Sequence, residues 1–167
     1  RRGHRPAMLS SVGHDAPGDL LVADAMRLGL DMRWVRRDTD LPTGMYIAVE
    51  SPDGLVAAIA DVRALEAAGT GIFAPLRDGR LGDAATPWRG TLVLDGNLTL
   101  AVISSLARDP CLAGAALCIA PASPDKVTRL WPLLGLPEAT FYLNRREAEA
   151  LTGRSFRSIA RAAEAVI

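Results

Sequence analysis

The spacing of hydrophobic positions along this chain changes repeatedly, and the changes mark its elements. Pro6-Ala-Met-Leu-Ser-Ser-Val12 is a short, largely apolar run followed by the turn-forming stretch Gly13–Gly18, which predicts a buried strand. From Asp19 the spacing becomes helical, with Leu21, Ala25 and Leu28 on one face and Gly29 placed to end the helix. Residues 32–61 switch to a period of two. Met45, Ile47 and Val49 alternate with Tyr46, Ala48 and Glu50, the pattern of a half-buried strand. Ser51-Pro-Asp-Gly54 supplies a turn in which Gly54 can take positive φ, and Leu55–Ala60 runs back as the second strand of a hairpin. Met32–Arg36 is expected as a third strand beside it, because a two-stranded hairpin alone is marginal.

From Asp61 onward helices and strands alternate. Helices are expected over 62–68, part of 71–85, 99–108, 123–134, 144–151 and 155–167, and strands over 91–95, 115–120 and 139–143. Leu92–Leu94 and Ala116–Ile119 are unbroken apolar runs, as in parallel strands covered on both faces. The alternation predicts a layered α/β core with a mainly parallel sheet.

Composition narrows the function classes. The 167 residues carry no net charge and are 49% hydrophobic, which fits neither a disordered chain nor an electrostatic nucleic-acid binder. No apolar run reaches the ~20 residues of a membrane span, and no signal-peptide core follows the first arginines. The two cysteines, Cys111 and Cys118, are too few for a disulfide scaffold or a four-thiolate zinc site, so a cytoplasmic setting is expected. Of the 19 basic residues, Lys126 alone is lysine. The sequence has no P-loop, no strand-linked G-x-G-x-x-G, no H-E-x-x-H and no G-x-S-x-G. His4 and His14 lack the partners of a metal site.

A resemblance carries more. In order, Ser11-Val-Gly-His-Asp-Ala-Pro-Gly18, Pro42-Thr-Gly-Met-Tyr46, Ala58-Ile-Ala-Asp61, Leu94-Asp-Gly-Asn97 and Leu143-Asn-Arg-Arg-Glu147 resemble successive segments of the ribokinase (PfkB) family of sugar and nucleoside kinases. The likeness covers essentially the whole chain. Within the family it is similar to the pseudouridine kinase subgroup, where T-x-x-Y leads to A-I-x-D, D-x-N, P-x-S-x-x-K and N-x-x-E. The P-x-S-x-x-K segment here is Pro121-Ala-Ser-Pro-Asp-Lys126, and Ala60 stands where the subgroup commonly has asparagine.

The resemblance implies a ribokinase-like fold, with 1–31 and 62–167 forming part of the α/β core and 32–61 a small β lid. It implies ATP-dependent, Mg²⁺-dependent phosphorylation of a small-molecule nucleoside or sugar, pseudouridine to pseudouridine 5′-phosphate in the complete protein. Nucleic acid and membrane are not expected partners, and a homodimer through the lid is allowed. The family's glycine-rich segment and its G-A-G-D with the catalytic base have no counterpart in these residues. The chain, which begins at Arg1, is therefore expected to be a fragment, inactive alone, with no catalytic residue of its own. The alternatives are a kinase of the same fold for another sugar or nucleoside, or a non-catalytic nucleoside-binding or dimerisation remnant.

By the same resemblance Thr43, Tyr46, Asp61, Asn97 and Lys126 bind substrate. Asn144 and Glu147 organise the phosphate and Mg²⁺ region, with Glu147 reaching the metal through water. Each residue also has an ordinary reading. Thr43 and Tyr46 are good β formers, Asp61 and Asn97 suit turns, and a lone lysine is usually solvated. Asn144 and Glu147 have the spacing of a capping box, which is compatible with the functional role. Gly13, Asp15 and Gly18 read as turn chemistry.

Overall fold

Local chemistry sets where the first helix begins. In this computed structural model, which describes residues 3–52 and 54–164, Asp15 takes extended backbone and its carboxylate accepts the Gly18 N–H at 2.9 Å. That cap, with Pro17 tolerated in the first turn, starts α1 (Ala16–Arg27) before the expected Asp19. Gly29 follows its end with φ +91°, as its placement predicted.

The chain divides into two compact units, Arg1–Ala74 and Pro75–Ile167. In the first, β1 (Ser11–Gly13) pairs in parallel with β2 (Arg36–Asp38). Two expectations are corrected here. The strand over 6–12 is confined to β1, with Ala7 making only an isolated bridge to Asp31. The strand expected over 32–36 begins at Arg36 and joins β1, not the hairpin. The hairpin itself forms as predicted: β3 (Met45–Ser51) runs antiparallel to β4 (Gly54–Asp61), with Gly54 at φ +119°. Asp53 of the expected turn lies outside the described residues. The apolar face expected on α1 is not buried. Leu21 and Leu28 are exposed, and Gly18 makes the close approach instead; a Cβ there would lie 2.4 Å from the Gly13 carbonyl oxygen. After β4 come α2 (Arg63–Ala68) and 3₁₀ turns over Gly69–Leu76, where Pro75 interrupts any longer α-helix.

The second unit is built on β5 (Thr91–Asp95), β6 (Ala116–Ala120) and β7 (Ala139–Phe141), all parallel and adjacent in that order. The register sets Asp95 beside Ala120 and Ile119 beside Phe141, so the three strands end at nearly one level. Thr99 caps α3 (Leu100–Leu106), and α4 (Arg145–Thr152) ends at Gly153 in left-handed backbone. The helix expected over 155–167 is α5 (Ile159–Glu164) among the described residues; 165–167 lie outside them.

The helix expected over 123–134 is 3₁₀ over Pro124–Leu133. Its sequence repeats every three residues, which matches three residues per turn. Val127, Leu130 and Leu133 form one fully buried column, and Asp125, Thr128 and Trp131 form an exposed one. Pro132 removes an amide that an α-helix would need. The segment packs against α3 and α4, with Leu94, Ile103, Leu117 and Ile119 buried on the same unit's core. Each such side chain contributes roughly 1.5–3 kcal/mol of burial. The strands are parallel as expected, but covering on both faces is not observed: Val93, pointing opposite to Leu94, is 73% exposed.

Candidate functional site

The sequence-predicted residues fall into two sets, one in each unit. In the first unit Thr43 precedes β3 and is 7% exposed. Its hydroxyl accepts the Gly13 N–H at 3.0 Å and donates to Asp15 Oδ1, while its own N–H donates to Asp15 Oδ2 at 2.8 Å. The Thr43 hydroxyl, then its amide, then that of Gly18 hold the Asp15 carboxyl below the usual carboxylate range. Asp15 thus joins the α1 start to the β3 approach. Tyr46 lies on β3, 64% exposed, and pairs across the hairpin with Ala60.

Asp61 ends β4 and is gripped by Arg63, whose Nε donates at 3.0 Å to one carboxylate oxygen and whose Nη2 donates at 2.7 Å to the other. That side chain, aided by the Arg63 amide, lowers the Asp61 pKa to about 2. A carboxylate so held accepts hydrogen bonds and does not serve as a base near neutrality. The same Asp-x-Arg clasp recurs at Asp31–Arg33 and Asp78–Arg80, so it is a local property of the spacing.

In the second unit the residues gather at the carboxyl ends of the parallel strands, where open α/β sheets bind ligands. Asn97 follows β5, and its Oδ1 accepts from Lys126 Nζ at 2.6 Å. Arg129 lies one 3₁₀ turn after Lys126 and reaches the Asn97 and Leu98 carbonyls at 3.4 Å. Gly96 permits this closeness, because a Cβ there would sit 2.1 Å from the Pro121 carbonyl oxygen. Ala122 takes φ +70°, uncommon for a residue with a Cβ, where the chain turns from β6 toward Lys126. After β7, Asn144 and Glu147 form the capping box: Asn144 Oδ1 accepts the Glu147 N–H at 3.0 Å, and Glu147 Oε2 accepts the Asn144 N–H at 2.9 Å. Glu147 is 7% exposed.

Sequence reasoning missed Asp95 and Arg129. Asp95 accepts from both the backbone and the side-chain amide of Asn97. The D-x-N spacing signalled the first, and the three-residue interval from Lys126 signalled the second once a 3₁₀ period is considered. A mainly apolar groove of about 460 Å³, lined by Leu134, Leu136, Phe141, Ala148 and Ile159, borders Asn144 but not Lys126. Among the described residues no three His, Cys, Asp or Glu side chains are grouped as metal ligands, and no helix is long and apolar enough to cross a membrane.

No family model and no curated protein matches this sequence. Solved structures do match in shape. A carbohydrate kinase from Agrobacterium tumefaciens has TM-score 0.71 at 24% identity, over 90% of this chain and 48% of that one. Arabidopsis thaliana ribokinase, complexed with ribose and ATP, has TM-score 0.65 at 18% identity, over 97% and 50%. Schistosoma mansoni adenosine kinase, in complex with 2-fluoroadenosine, has TM-score 0.68 at 14% identity, over 97% and 49%. The chain spans about half the length of each of these proteins. Its fold is ribokinase-like, α/β with a parallel sheet, as its sequence motifs implied.

Proposed function

We propose that this chain is the central part of an ATP-dependent nucleoside kinase that converts pseudouridine to pseudouridine 5′-phosphate. The observation that carries the reading is the gathering of Asn97, Lys126, Asn144 and Glu147 at one end of the parallel strands of a ribokinase-like fold. The subgroup motifs that contain these residues supply the preference for pseudouridine. In this reading Lys126 and Asn97 meet substrate or phosphate oxygens, and the ionised Asp61 accepts from nucleoside hydroxyls or base. Tyr46 faces nucleoside from the hairpin of the first unit, with Thr43 holding the approach to its strand. The hairpin acts as a lid that excludes water, which would otherwise accept the phosphoryl group.

The donor set suits Mg²⁺ only in its hydrated form. Glu147 belongs to no group of three potential metal ligands among the described residues and has one oxygen already accepting the Asn144 N–H, and Mg²⁺ commonly keeps several waters beside one or two carboxylates. Glu147, with Asn144, would hold the ion through water. Bound there, Mg²⁺ would neutralise charge on the phosphates of ATP. The complete protein would supply the base that takes the hydroxyl proton. In that protein Asp61→Ala is expected to weaken nucleoside binding with little change in kcat, and Glu147→Ala to lower kcat and raise the Mg²⁺ requirement. Unchanged kinetics in both variants would overturn these assignments.

A second reading has its own observation. Tyr46, Val56 and Ile59 leave the hairpin exposed, which favours a nucleoside-binding or dimerisation module without catalysis. Concentration-dependent dimerisation and saturable nucleoside binding, without phosphoryl transfer by the complete protein, would support it.

A further inference from the structure

We infer that Asp95 is a positioning residue: it fixes the orientation of the Asn97 amide and thereby holds the Lys126 ammonium for the phosphate oxygens of a ligand. The inference rests on the reading that this end of the sheet binds a phosphorylated ligand. Its geometric part stands independently of that reading.

An asparagine amide is ambidextrous, with an acceptor oxygen and a donor nitrogen of nearly the same shape. Its neighbours decide which way it faces. The Asp95 carboxylate accepts only. Oδ1 takes the Asn97 backbone N–H at 3.0 Å, and Oδ2 takes the Asn97 Nδ2 at 2.5 Å. Lys126 donates only, and its Nζ meets Asn97 Oδ1 at 2.6 Å. An acceptor on one side and a donor on the other leave the amide one satisfied orientation. If it flipped, its NH₂ would face an ammonium and its oxygen a carboxylate, losing both bonds and gaining two repulsions.

The rest of the site makes this control useful. Asn97 is half-buried behind Gly96, which is confined by the Pro121 carbonyl, so the asparagine has little freedom to withdraw. Lys126 is one 3₁₀ turn from Arg129, which holds the same loop by its backbone carbonyls. Lys126 Nζ carries three N–H donors, and Asn97 takes one of them. Among the described residues no partner takes the other two, which leaves them for an oxyanion. Asp95 lies at the end of β5 and needs no contact with the ligand; it acts through Asn97.

The test uses the single lysine. In the chain labelled with ¹⁵N-lysine, one side-chain signal reports on Lys126, and titration with inorganic phosphate gives an affinity. Asp95→Asn, at an exposed position, is expected to move the signal toward that of solvated lysine. It should weaken phosphate binding about tenfold, the scale of one charge-assisted hydrogen bond. Asn97→Asp removes the need for orientation, because both carboxylate oxygens accept from Lys126. In that background the introduced carboxylate lies against Asp95, so Asp95→Asn relieves a like-charge contact and is expected to strengthen phosphate binding, not weaken it. A merely structural Asp95 would act alike in both backgrounds. Equal effects in the two backgrounds, or none in either, would overturn the inference. If the parent chain binds no phosphate, the phosphate-site reading fails, and the lysine signal alone then decides the positioning claim.

Discussion

The hairpin β3–β4 and the sheet β5–β6–β7 are held together in different ways. The hairpin has the longer strands and an antiparallel ladder whose register shifts once, between Val49 and Glu50, yet its apolar side chains stay exposed, Ile59 at 72%. The sheet has short strands but turns Leu94, Leu117 and Ile119 into a core shared with the 3₁₀ segment and its neighbouring helices. A ladder without a covered face is marginal in water, whereas a core-backed sheet resists opening. Stability therefore divides between the regions, the hairpin being the readier to open.

The largest contrast is expected from truncating one apolar residue in each region. Leu130→Ala, at a fully buried position, is expected to cost about 2–5 kcal/mol in urea unfolding. Ile59→Ala should cost within about 0.5 kcal/mol. Equal losses would mean that the hairpin is covered in solution. Hydrogen exchange sharpens the same point: amides of β3 and β4 should exchange about a hundredfold faster than those of β6. Matching protection would break the comparison. A smaller effect is expected at the capping box, where Asn144→Ala should lower stability by about 1 kcal/mol, measured by thermal unfolding.

Acid gives the smallest contrast. Asp15 and Asp61 both have folded-state pKa values below the ordinary 3.8, Asp61 about 2. Each therefore stabilises the fold fully above pH 3.8 and loses that contribution as pH falls toward its folded value. Asp61→Asn should flatten part of that acid limb by slightly lowering stability above pH 3.8, with little change at the acid end. An undiminished acid limb in the variant would show that Asp61 contributes nothing to it.

Much of the sheet and the hairpin was legible because period-two and unbroken apolar runs are strong local signals, and Asn144–Glu147 was legible as a cap. Other features depended on competition that periodicity does not reveal. Pro124, Pro132 and a three-residue repeat favoured 3₁₀ over α geometry at 124–133. Asp15 captured the start of α1, and the parallel partner of β1 decided where β2 formed. At the candidate site the residue types were visible in sequence, but the Asp95–Asn97–Lys126 chain was not. It requires the exits of β5 and β6 to pass at the distance that Gly96 permits.

The most direct test of the central claim is kcat/KM of the complete protein, with MgATP, for pseudouridine, uridine and ribose. The account predicts phosphoryl transfer to all or some of these, with pseudouridine the preferred acceptor. A preference for ribose or uridine would contradict the pseudouridine assignment, and transfer to none of the three would overturn the proposed pseudouridine kinase.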